Sequence, residues 1–137
     1  MGPAKKSQKL KRLVAVQRHL EKIAELDLAD TARQRQEISA GLNRVIDALG
    51  SMDPVHRLFA QSYAERFSRL SSDDRRMADV QRVQENVVLR QRTKAERLED
   101  KMIEARDHED REAQDNTLQD LIDLTFATPA SSKVHER

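Results

Sequence analysis

Apolar residues recur along this chain at helical intervals. In the first third Leu13, Val16, Leu20 and Ile23 step by three and four, and Ile38, Leu42, Val45 and Leu49 repeat the steps further on. Such spacing places a stripe on one helix face. Between the two sets the register slips by about one residue around Leu26 and Leu28, and Asp30 to Glu37 is polar. The pattern predicts a stutter and a weak, thinly packed middle. Later, Leu70, Met77, Val80, Val87, Val88, Ala95, Leu98, Met102 and Ala105 share one broad stripe, with Gln84 and Gln91 interrupting it at seam positions.

Helix breakers divide these stripes. Between Ala4 and Thr128 the only Gly or Pro residues are Gly41, Gly50 and Pro54. In G-S-M-D-P, Gly50 suits the left-handed end of one helix, Asp53 the cap of the next, and Pro54 its first position. S-S-D-D at 71–74 is the rival turn, but without Gly or Pro it reads better as a kink or an exposed helical turn. Gly41, isolated in a helical pattern, costs helix stability without ending the helix. The expected fold class is all-α: a long antiparallel two-helix coiled-coil hairpin turning near Gly50–Pro54. Its parts are a basic flexible start (1–7), a hairpin (8–127, arms about 8–50 and 54–127) and a flexible tail (128–137). The second arm overhangs the first, and so thin a structure favours oligomerisation or docking on a larger assembly.

Three of the four aromatic residues, Phe59, Tyr63 and Phe67, fall just after the turn. Carrying the second stripe back from Leu70 puts Tyr63 and Phe59 on the seam and Phe67 on its flank. Phe59 and Tyr63 are therefore expected to help close the core beside Val45, Leu49 and Met52, leaving Phe67 and Leu58 more exposed.

Composition narrows the function. Charged residues make up 36% with a net charge of +1, so no global field recruits nucleic acid or anionic lipid, and mixed signs suit exposed helix faces. The chain has no cysteine, which removes disulfide and thiolate chemistry. No apolar run is long enough for a signal sequence or a membrane span, and a cytoplasmic location is expected. The start M-G-P-A-K-K fails as a myristoylation signal because Lys6 stands where Ser or Thr is required. The cluster Lys5, Lys6, Lys9, Lys11 and Arg12 reads first as a solvated basic tail, and second as a contact for acidic protein, phosphate or a membrane surface.

No nucleophile motif, phosphate loop or zinc pattern is present, so no catalytic, cofactor or metal residue is assigned and an enzyme is not expected. Glu104 and His108, four apart in E-A-R-D-H-E-D-R-E, share a helix face but lack converging ligands; a solvated charged face explains them. Basic residues are interleaved with acids and no aromatic platform lines a basic groove, which speaks against nucleic acid. In N-T-L-Q-D-L-I-D-L-T-F, Leu118, Leu121 and Ile122 recur with helical spacing, with Leu124 and Phe126 beside them. The segment is either a docking helix for a client or a helix folded back on the hairpin's open end.

Several stretches together resemble the stalk proteins of bacterial flagellar and virulence type III export systems, the FliJ/YscO type. They are the basic, leucine-bearing start K-L-K-R-L-V-A-V-Q-R-H-L-E-K-I-A-E, the central break, the entry L-F-A-Q-S-Y-A-E-R-F and the charged run R-Q-R-T-K-A-E-R-L-E-D-K-M. The resemblance spans most of residues 8–115 and carries no catalytic signature. It implies a non-enzymatic cytoplasmic coiled coil, peripherally associated with a membrane export apparatus, that inserts into a hexameric export ATPase, contacts the export gate and escorts export chaperones. On it, Leu13, Val14, Arg18, Arg90, Lys94 and Arg97 would belong to the ATPase-facing end, and Leu58, Phe59, Tyr63 and Phe67 would be gate contacts. The alternative is a structural coiled-coil adaptor or secretion chaperone holding a client through Leu118, Leu121, Ile122 and Phe126. A third reading, a basic-tailed membrane or nucleic-acid binder, predicts steep salt dependence.

Overall fold

The computed structural model describes residues 4–135, with side chains to Ala127. The described residues form three helices and no strand: α1 (Lys6–Leu49), α2 (Pro54–Leu58) and α3 (Ala60–His135). α1 packs against α3, giving the all-α helical hairpin that the stripes and breakers predict. By mutual contact the chain divides into two units. One joins the start of α1, through Ala15, with α3 from Glu96 onward; the other is Val16–Ala95.

In the unit Val16–Ala95 the turn lies where the breakers place it. Gly50 N–H donates to Ile46 O (3.0 Å) and Ser51 N–H to Ala48 O (3.2 Å), so α1 ends in a tightened last turn that satisfies two of its terminal carbonyls. Gly50 does not adopt the left-handed conformation expected of it. Asp53 caps α2, accepting from Val55 N–H at 3.0 Å, with Pro54 at the first turn. Ser71–Asp74 lie inside α3. The second arm, expected as one helix from Pro54, is divided at Phe59 (φ −105°, ψ 13°). α1 has ended by Leu49, so residues 54–59 lack a facing helix to hold them in α3's register, and a five-residue helix has little stability of its own.

The seam of this unit departs from expectation on α1. From Val45 and Leu42 towards the N-terminus, the inward positions are Ile38, Arg35, Thr31, Leu28, Ala24, Glu21 and Gln17, an unbroken alternation of threes and fours. There is no stutter. Val16, Leu20 and Ile23, expected in the core, are 59%, 43% and 44% exposed, and Leu49 and Met52 also lie outside it. The reason is consistency along the pair. α3 presents a steady repeat through Leu70, Asp74, Met77, Gln81, Gln84, Val88, Gln91 and Ala95, and a slip in α1 would break its match to that repeat.

Polar seam residues meet polar partners. Gln17 Nε2 donates to Gln91 O (3.2 Å) and to Gln91 Oε1. Arg35 donates through Nε and an Nη to the two oxygens of Asp74 (3.0 and 3.3 Å), and through the other Nη to Gln81 (2.8 Å). Arg92 bridges Glu21 (3.1 Å) and Glu25 (3.4 Å). Such bonds fix register because a shifted pairing strands each group. Gly41 packs beside Leu70, and a Cβ there would meet Leu70 Cδ1 at 3.4 Å, an ordinary contact.

In the other unit Ser7, Leu10 and Val14 of α1 face Leu98, Met102, Ala105 and Glu109 of α3. Glu109 receives both Ser7 N–H (3.0 Å) and Ser7 O–H. It thereby caps an N-terminal donor of α1 that has no partner within its own helix. Lys6 and Ser7, assigned by sequence to the flexible start, belong to this helix. Beyond Glu109, α3 continues with every side chain exposed through Ala127. It runs on to His135, past the end expected near 127; Pro129 removes one backbone bond, which bends or weakens a helix without obliging it to stop. The remaining two residues of the expected tail, 136–137, lie outside the described residues, as do 1–3 of the expected start.

Candidate docking surfaces

At the turn end, Tyr63 is half-buried against Arg44, Val45, Ala48 and Arg66. Its hydroxyl lies 3.3 Å from His56 Nδ1, and Phe59 meets its ring edge-on at 6.5 Å. Tyr63 is half-buried and Phe67 exposed (38%), as expected, but Phe59, expected to help close the core, is 51% exposed. Phe59 sits at the break before α3, beyond the last residue of α1, and so has no core to close. Leu58 is 82% exposed, as expected. Of the four gate candidates, three therefore present surface and Tyr63 anchors them.

The ATPase-end candidates separate by flank. In the unit Val16–Ala95, pairing sets the sides: Glu25 and Arg92, each one residue after a seam position, meet across one flank. Arg44, one residue before the seam position Val45, and Arg66, across from it, line a common cleft on the other. Arg18 follows Gln17 and lies on the first flank, bonded to Glu21. Arg90 and Lys94 precede Gln91 and Ala95, so they lie on the second flank with Val16, Leu20 and Ile23, and both are exposed. In the other unit, Leu13 and Arg97 are exposed while Val14 is half-buried in the seam.

The same unit has a cleft lined by Lys6, Leu10, Lys101, Glu104, His108 and Glu109. Hydrogen bonds from Ser7 O–H and then Ser7 N–H hold the Glu109 carboxyl below its usual range, because they favour the charged form. His108 Nε2 lies 3.7 Å from Glu112, an ordinary i,i+4 arrangement. No group of acidic, His or Cys residues that could hold a metal ion occurs among the described residues, and no helix there is long and apolar enough to cross a membrane.

On the overhang, Leu118, Leu121, Ile122 and Phe126 are 57%, 55%, 39% and 77% exposed. The segment does not fold back. Continuing α3's seam repeat past Glu109 gives Glu112, Asn116, Gln119 and Asp123, all polar, so its apolar stripe lies on the opposite side of the helix from the α1-facing seam. The polar pairs that hold the helices together were hidden in sequence by their polarity; the signal that finds them is the Val45–Leu42–Ile38 repeat carried backwards without a slip. Comparison with protein-family models, with characterised proteins and with solved structures gives no match.

Proposed function

We propose that this chain is a non-enzymatic docking coiled coil, and specifically a stalk and escort component of a bacterial flagellar or type III protein export apparatus. The reading is supported by the pairing of α1 with α3 around a turn at residues 50–53, taken with the sequence resemblance to the FliJ/YscO type. Exposed apolar and charged faces in place of an enclosed cleft suit a protein that works by contact. In this role the chain binds the hexameric export ATPase and, through the exposed residues near the turn, the export gate, and it handles export chaperones in the cytoplasm at the membrane apparatus.

Pull-down of the full chain with the export ATPase and the export gate of the same organism tests the reading. Binding, with faster ATP hydrolysis, is expected; binding to neither overturns it. The exposed leucines of the overhang favour a second reading, an adaptor or secretion chaperone holding a client there. Deleting residues 116–137 separates the two. The stalk reading keeps ATPase binding, whereas the adaptor reading loses its partner while the helices stay folded.

A further inference from the structure

The second flank of the unit Val16–Ala95 carries two unlike walls. On α1, Val16, Leu20 and Ile23 form an exposed stripe at steps of four and three. On α3, Arg90 and Lys94 stand exposed on the same flank, with no acidic partner at ion-pair distance among the described residues. An apolar row bordered by unpaired cations is the complement of an acidic amphipathic helix.

The chain itself carries such a helix. Residues 112–127 of α3 include Glu112, Asp115, Asp120 and Asp123 and no Lys, Arg or His. Leu118, Leu121 and Ile122, at i, i+3 and i+4, form its apolar stripe, and of the four acids Asp115, three residues before Leu118, borders it. Every side chain of the segment is exposed, and α1 does not reach it. Two overhangs facing each other would set acid against acid, whereas an overhang on the Val16–Leu20–Ile23 flank joins apolar to apolar and acid to base.

We propose that the overhang of one copy docks on the Val16, Leu20, Ile23, Arg90 and Lys94 flank of a second copy, so that the chain self-associates through an acidic helix and a basic-edged apolar groove. The contact is heterologous, overhang to groove. Mutual exchange between two copies closes a dimer, and serial exchange builds longer chains. Because the contact pairs exposed opposite charges, added salt reduces association. This assignment does not depend on the export reading.

Sedimentation of the full chain over a rising concentration series gives concentration-dependent self-association. Arg90→Glu with Lys94→Glu abolishes it, and so does Asp115→Lys; all of these positions are exposed, and unchanged circular dichroism shows that each variant stays folded. Mixing the two variants restores association, because the reversed groove now meets a reversed overhang. A wild-type chain that stays monomeric overturns the proposal. Association untouched by either variant overturns it too, as does a mixture that stays dissociated.

Discussion

At the residue scale, stability rests on very few buried apolar groups: Leu10, Ala24, Val45, Val88 and Ala95 are the buried hydrophobic residues among those described. The rest of the seam mixes half-buried apolar residues such as Leu28, Ile38 and Met77 with polar ones, most of which are bonded. Gln84 is the exception, since its Oε1 is buried with no hydrogen-bond partner. An unsatisfied buried acceptor costs about 1–3 kcal/mol, and a leucine of similar volume removes that cost while adding apolar area. Gln84→Leu is therefore expected to stabilise the fold by about 1 kcal/mol, read as a higher urea midpoint with an unchanged slope. The positions at which sequence reading failed are also residue-scale. Leu13, Val16, Leu20 and Ile23 looked like core because they are apolar and regularly spaced, yet pairing is set by the register that both helices can sustain, and that register selects Gln17, Glu21 and Ala24 instead.

At the element scale, the turn was legible because breakers are so scarce that Gly50, Asp53 and Pro54 had no competitor with the same chemistry. The stripe of α3 was legible too, since Leu70, Met77, Val88, Ala95 and Leu98 keep one period. The break at Phe59 was not, because it follows from where α1 stops and not from any residue between Pro54 and Ala60. The start of α1 is held by α3 through the bonds from Ser7 to Glu109. Glu109 has its carboxyl lowered from 4.5 by those bonds, so its contribution is fully present above about pH 4.5 and disappears as pH falls through the lower folded-state value. Glu109→Gln should lower the melting temperature at neutral pH and flatten its decline on acidification. A decline as steep as that of the wild type would show that Ser7 and Glu109 do not interact in solution.

At the scale of the whole chain, helical class and hairpin connection follow from periodicity and a single turn, whereas the docking faces do not. Which apolar residues remain outside depends on which register wins, and a seam of mixed polar and apolar residues wins here. One consequence is that α1 keeps a row of aliphatic side chains for another molecule, and the proposed contacts with other proteins draw on faces of this kind. The absence of native cysteine allows that arrangement to be read directly. Gln17→Cys with Gln91→Cys in one chain, mildly oxidised at low concentration, should form an intramolecular disulfide, while Leu20→Cys with Gln91→Cys should not. A disulfide from the Leu20 pair, with the Gln17 pair remaining reduced, would contradict the account by turning the apolar stripe of α1 into the seam.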